Sequence, residues 1–147
     1  MTTRILATLA LVIAAGAASF AGRTDPAFRV IVNSANPTTA LAKDTVSAMF
    51  LKTQATWSNG NRVLPVDQRV GNHVRDVFSL AVHSRSATTI KNWWNQQIFA
   101  GRGVPPPELA TDAKVVAFVS SNPGAIGYVA ADAPLGDTHA ITVSDGE

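Results

Sequence analysis

The sequence predicts an α/β domain in which a mixed, largely parallel sheet is covered by helices. Three observations carry that prediction. Short apolar runs bounded by turn residues alternate with amphipathic stretches of helical period. Helix-capping residues (Asn72, Ser86 and Thr111) stand directly before three of those stretches. A Pro123-Gly124 pair separates an amphipathic helix from Ala125-Ile126-Gly127-Tyr128-Val129, which reads as a buried strand. Proline has no amide with which to continue a helix, and glycine accepts positive φ. The second glycine, Gly127, admits close approach of another backbone, while Ile126, Tyr128 and Val129 supply strand-forming bulk.

The first segment is set apart from this core. Arg4 gives a short positive start, residues 5–15 are apolar apart from Thr8, and Ser19 and Ala21 supply the small side chains of a cleavage site. That is the layout of a secretory signal peptide over residues 1–21, with residues 22–147 as one mature domain. The apolar run is shorter than the about 20 residues a membrane span needs, so no membrane anchor is expected after cleavage.

The remaining elements follow in order. Residues 28–33 form an apolar strand ending in the turn-prone Asn33-Ser34-Ala35-Asn36-Pro37. Ala42, Val46, Met49 and Phe50 then lie on one helical face. Residues 58–61 make a turn, and 62–68 a second strand in which Pro65 argues for an edge position or a bulge. Asn72 caps a helix with Val74, Val77, Phe78 and Ala81 on one stripe. Ser86 caps another, with Ile90, Trp93, Trp94 and Ile98 facing inward and Gly101 as its stop. A proline-rich loop, 101–107, leads to a helix capped by Thr111 that buries Val115, Phe118 and Val119. A last short strand is expected at 140–143.

Composition bounds the function. Of 147 residues, 46% are hydrophobic and 15% charged, which suits a single domain with its own core. There is no cysteine, so an exported chain is held by that core alone and has no thiol for an N-terminal lipid. The formal charge is only +2, and no basic run interleaved with aromatics points to nucleic acid. His73, His83 and His139 are scattered, and no His/Asp/Glu set has metal-ligand spacing. Asp67 reads as a strand-end charge and Asp76 as a helix N-terminal charge rather than an acid/base pair. No nucleophile elbow or Ser-His-Asp grouping is present, and Gly101-Arg102-Gly103 lacks the Lys-Ser/Thr of a phosphate loop. The expectation is a protein that is not an enzyme and uses no cofactor or metal.

The ordered set Val30-Ile31-Val32-Asn33 with Asn36-Pro37, Met49-Phe50-Leu51-Lys52 with Trp57, Asn59 and Gly60, and Leu64-Pro65-Val66-Asp67-Gln68 with Gly71, Arg75 and Phe78 continues through Trp94, Phe99 and Gly101 to Pro123-Gly124-Ala125-Ile126-Gly127-Tyr128. It resembles the phosphate-type substrate-binding proteins of ABC transporters, within the type 2 periplasmic-binding-protein fold. The resemblance covers roughly residues 30–143 and matches one lobe, making this a short, single-lobe member. Two departures accompany it. Few mature residues precede the first strand, so the family's first lobe is missing. The family's phosphate loop resembles Arg-x-x-Gly-Ser-Gly-Thr, whereas this chain reads Gln68-Arg69-Val70-Gly71-Asn72-His73-Val74, without either hydroxyl.

The candidate ligand site is that helix start. The first amides of a helix lack internal partners, and the macrodipole adds partial positive charge there. Arg69 and Arg75 add cationic donors, Asn72 and His73 neutral ones, with Gln68 and Gly71 in the same segment and Asn33 at a neighbouring strand end. The resemblance implies a periplasmic solute-binding protein that holds a small anion such as phosphate non-covalently, for ABC-transporter uptake or sensing. A lone lobe is an open wall, so tight binding calls for a homodimer or a partner protein. The alternative is a ligand-free interaction module that docks on a sensor or a transport protein.

Overall fold

The computed structural model describes residues 27–146, so the expected signal peptide, 1–21, and its cleavage site lie outside the described residues. β1 (Phe28–Asn33) ends in an Asx turn, with Ala35 N–H donating to Asn33 Oδ1 at 2.9 Å. β2 (Ala40–Ala42) leads into α1 (Lys43–Phe50), which buries Val46, Met49 and Phe50 as their spacing requires. The turn at 58–61 closes with Gly60 N–H on Trp57 O at 2.9 Å. The strand expected at 62–68 is divided. β3 (Leu64–Pro65) lies at the edge of the main sheet, where a missing proline amide is tolerated. β4 (Asp67–Gln68) then leaves it for a second, two-stranded sheet.

α2 (His73–Phe78) begins at the expected cap, where Asn72 Oδ1 accepts from Val74 N–H at 2.9 Å, and runs on into one π-helical turn, Ser79–His83. α3 (Ala87–Phe99) and α4 (Asp112–Ser121) begin at the Ser86 and Thr111 caps. Between them the proline-rich loop delivers β5 (Glu108–Leu109), which pairs in parallel with β4. The chain closes with β6 (Ala125–Ala130) and β7 (Thr138–Ser144).

The main sheet is mixed, with strand order β2-β7-β1-β6-β3. Its parallel pairings, β2 on β7 and β3 on β6, are confined to the flanks. The central strand β1 is antiparallel to both neighbours. Alternation predicts parallel neighbours where a helix links consecutive strands, but β1 pairs with strands distant in sequence, whose direction alternation leaves unset. β6 and β7 therefore run the same way on either side of β1, and residues 131–137 cross over between them. Arg29 of β1 fastens that crossover, its Nη2 donating to Ala133 O at 2.9 Å.

Side chains alternate between two faces. Phe28, Val30, Val32, Ile126, Tyr128 and Ile141 meet α1, α2 and the π-helical turn. Ile31, Ala125 and Val129 meet Val115 and Val119 of α4. The first face is built on aromatics: the Phe78 and Tyr128 rings stack with centroids 3.8 Å apart and planes 7° apart, and Phe28 and Phe50 pack around Phe78. α3 departs from expectation at its end. Ile90 and Trp94 are buried, but Ile98 is 47% exposed and Phe99 92%. The helix has by then run past the layer that covers it.

The two glycines beside Tyr128 have different roles from those their sequence suggests. Gly124 does not use positive φ; a Cβ there would sit 2.2 Å from Arg62 O, because the segment leading into β3 passes directly alongside. At Gly127 a Cβ would meet Val115 Cγ1 at 2.7 Å, so this residue lets α4 lie close on the sheet. The backbone approach thus belongs to the first glycine and the helix approach to the second. Because the Arg62 backbone is held by its bridge to Thr56 and by the start of β3 two residues on, its carbonyl cannot step aside, and Gly124→Ala should destabilise the fold by about 2 kcal/mol or more in urea unfolding.

A second expectation concerns acid. His83 sits in the aromatic layer with Nδ1 2.8 Å from Ser47 Oγ. Burial, aided by the charges of Arg75 and Arg85, lowers its pKa to about 4. The unfolded chain, with an ordinary value near 6.5, binds the proton more readily, so stability is lost as pH falls from about 6.5 to 4. The loss should reach about 3 kcal/mol in denaturation curves across that window. His83→Asn should flatten the curve there.

Candidate functional site

The turn from β4 into α2 carries six of the seven residues singled out from the sequence, but it divides them into two sets. Gln68 and Arg75 point inward. Gln68 is fully buried and its amide is completely engaged: Nε2 donates to Asp112 Oδ1 at 2.8 Å and to Tyr128 O at 2.9 Å, while Oε1 accepts from Asn72 Nδ2 at 2.7 Å. Arg75 is 2% exposed. Its Nη2 lies 3.2 Å from Asp67 Oδ2, its Nη1 donates to Glu108 Oε1 at 2.9 Å, and Nη1 also donates to the Gln68 carbonyl. Its Nε is buried without a partner. Helical geometry explains the direction: Arg75 shares the inward stripe with Phe78, three residues on.

Four partners of this cluster went unassigned in the sequence. Asp67, expected as a strand-end charge, is 5% exposed and accepts from the Tyr128 hydroxyl and from Gln68 N–H as well as pairing with Arg75. Tyr128 combines a stacked ring with a hydroxyl bound to that carboxylate, and Glu108 arrives on β5. Asp112, in the first turn of α4, spans Gln68 and Ala130 N–H. A polar residue inside an apolar run, Asp67 after Leu64-Pro65-Val66, was the available signal. Burial pushes the Asp67 carboxyl up, more than the Arg75 guanidinium and the Tyr128 hydroxyl draw it down. Burial and the adjacent Asp67 likewise push the Tyr128 hydroxyl well above its ordinary range.

Arg69, Gly71 and His73 form the outward set, all exposed, with Asn72 half-buried between them. Asn72 N–H donates to Arg69 O at 3.1 Å, closing the turn, and Gly71 takes φ +91° with open space where a side chain would stand. This face can offer a guanidinium, an imidazole and turn amides to an anion without disturbing the core. Asn33 is not among them. It is buried on the far side of β1, where its Nδ2 donates to Val119 O and Ser120 O, both at 2.9 Å, and so caps the end of α4. Its candidacy as a ligand residue is replaced by this structural one. Among the described residues, no group of three or more His, Asp or Glu side chains is placed to hold a metal, and no helix is long and apolar enough to cross a membrane.

No protein-family model and no curated protein matches this chain. Solved structures do. An ABC-type phosphate transport receptor from Vibrio cholerae aligns over 80% of this chain and 46% of its own, with a TM-score of 0.62 and 15% identity. A phosphate ABC-transporter substrate-binding protein from Clostridium perfringens, solved with bound phosphate, aligns over 82% and 46%, with a TM-score of 0.62 and 16% identity. PstS from Borrelia burgdorferi aligns over 82% and 49%, with a TM-score of 0.57 and 12% identity. The chain thus spans just under half the length of each of these structures. Its fold is that of one lobe of a periplasmic-binding-protein-type receptor. More narrowly, it is the lobe fold of the phosphate-type substrate-binding proteins, as the sequence resemblance implies.

The buried cluster makes a quantitative prediction. Arg75→Met removes a buried cation and leaves Asp67 uncompensated, so it should destabilise the domain by about 3–5 kcal/mol. Glu108, whose side chain is 40% exposed, can return to water; Glu108→Gln should cost less than about 1 kcal/mol. Equilibrium unfolding of the two variants side by side separates these values.

Proposed function

We propose that this chain is a non-catalytic solute-binding module that takes a small anion, phosphate being the reference ligand, on the outward face of the β4–α2 turn. One observation carries the reading: Arg69, Gly71 and His73 stand exposed together around the Asn72 cap, in a lobe fold shared with phosphate-type receptors. Gln68 and Arg75 act beneath that turn as positioning residues. They hold its backbone so that the outward donors need little reordering on binding. Both are buried, so neither presents a donor at the outward face.

The rest of the proposal follows from the family resemblance and the open geometry. The protein is exported to the periplasm and works beside ABC-transporter membrane subunits in uptake, or beside a sensor. The turn is a single wall, and burying most of an anion takes a second one, from a homodimer or a partner protein. An alternative reading, a ligand-free module that docks on a sensor or transport protein, is favoured by two specific features. The Arg75 charge is already neutralised by Asp67 and Glu108, while Phe99 stands 92% exposed.

Calorimetric titration with phosphate, then sulfate and small carboxylates, decides between them. Arg69→Ala and His73→Ala should each weaken phosphate binding about tenfold and leave the melting temperature unchanged, since both side chains are outside the core. Folded protein that is silent across the whole series would overturn anion binding in favour of the docking module.

A further inference from the structure

A second concave site lies away from the β4–α2 turn, between the end of α1 and the edge strand β3. It is a cavity of about 280 Å³. Met49, Leu64 and Phe118 give it an apolar floor, and Lys52, Arg62 and Gln54 stand around it as polar groups. It shares no lining residue with the turn that carries Arg69 and His73. Neither of its cations is in an ion pair: among the described residues the pairs are Lys43 with Asp145, and Arg75 with Asp67 and Glu108. Among the described residues, the one hydrogen bond that Lys52 Nζ makes, to Pro105 O, is 3.4 Å long and therefore weak.

The backbone at Lys52 is an independent observation. α1 ends in a Schellman motif, in which Lys52 N–H donates to Met49 O at 3.1 Å and Thr53 N–H to Ala48 O at 2.9 Å. Lys52 occupies the left-handed position of that motif, with φ +58°, where glycine is the residue of least strain. The chain thus carries a long cationic side chain where the local backbone favours none, at the mouth of a cavity that holds a second unpaired cation. Partial burial, with Arg62 nearby, lowers the Lys52 pKa, and an anion lodged between the two would offset both effects.

We propose that this cavity binds an apolar carboxylate, its hydrocarbon body on the Met49, Leu64 and Phe118 floor and its carboxylate between Lys52 and Arg62. A bare, strongly hydrated ion such as phosphate gains nothing from an apolar floor and loses water on entering it. The volume lies near the lower end of small-molecule pockets, which suits a body of about ten non-hydrogen atoms.

Titration of the protein with octanoate tests this, with octanamide and inorganic phosphate as controls. Octanoate should saturate one site, with octanamide at least about tenfold weaker and phosphate unable to displace it. Lys52→Gly should raise the melting temperature, because it relieves the left-handed backbone, and yet weaken octanoate about tenfold. A loss of binding in a more stable protein has no misfolding explanation. Arg62→Gln should weaken octanoate similarly, whereas Arg69→Ala should leave it unchanged, so the result is independent of phosphate binding at the β4–α2 turn. Equal affinity for octanamide, full affinity in Lys52→Gly, displacement by phosphate, or no saturable octanoate binding would each overturn the proposal.

Discussion

The structure turns on the burial of one positive charge. A guanidinium that is 2% exposed is tolerable only if its charge is matched and most of its donors are accepted, and Arg75 obtains charge balance and acceptors for both Nη groups from three directions. Asp67 requires β4 to leave the main sheet after Pro65, Glu108 requires β5 to come alongside β4, and the Gln68 carbonyl requires the turn into α2 to fold back. Tyr128 joins the cluster to the centre of the main sheet, with its ring stacked on Phe78 and its hydroxyl on Asp67. The small second sheet is therefore a consequence of the charge. Two strands of two residues each have almost no stability of their own.

This constraint separates what holds the turn from what the turn displays. The residues that face the core at Gln68 and Arg75 cannot approach a ligand without exposing Asp67 or breaking the hydrogen bonds of a buried amide. The residues between them face outward because the helix cap and the closing bond from Asn72 N–H to Arg69 O fix the local path. Binding groups on a rigid backbone lose less entropy than groups on a mobile loop. In the proposed reading, the cluster beneath contributes to affinity without touching the ligand.

Much of the fold was legible in the sequence because capping and periodicity are local. Asn72, Ser86 and Thr111 each begin a helix, and Pro65 marks the sheet edge. Other features depend on contacts that no local pattern encodes. β5 is recognisable only through its pairing with β4. Gly124 is explained by a carbonyl 62 residues earlier, at Arg62, and Asn33 by the end of a helix on the opposite layer. The site was half legible for the same reason. Its segment is visible in sequence, but whether Arg75 faces water or the core depends on the two carboxylates that reach it. Ile98 shows the reverse error, a residue with the right spacing on a helix that outruns its neighbour.

The carboxylates of Asp67 and Glu108 also bear on the stability of this domain in the absence of an external anion. They occupy the Nη1 and Nη2 donors of Arg75, so the guanidinium is compensated whether or not a ligand is present. An arginine that waited for an external anion would leave an unpaired charge in the empty protein, at a cost of several kcal/mol. Internal compensation removes that dependence; in the proposed reading it leaves anion capture to exposed groups, whose desolvation is small and whose individual contribution is correspondingly modest. A domain built this way needs no external anion to neutralise Arg75, and in the proposed reading tight binding draws on a second wall over the turn.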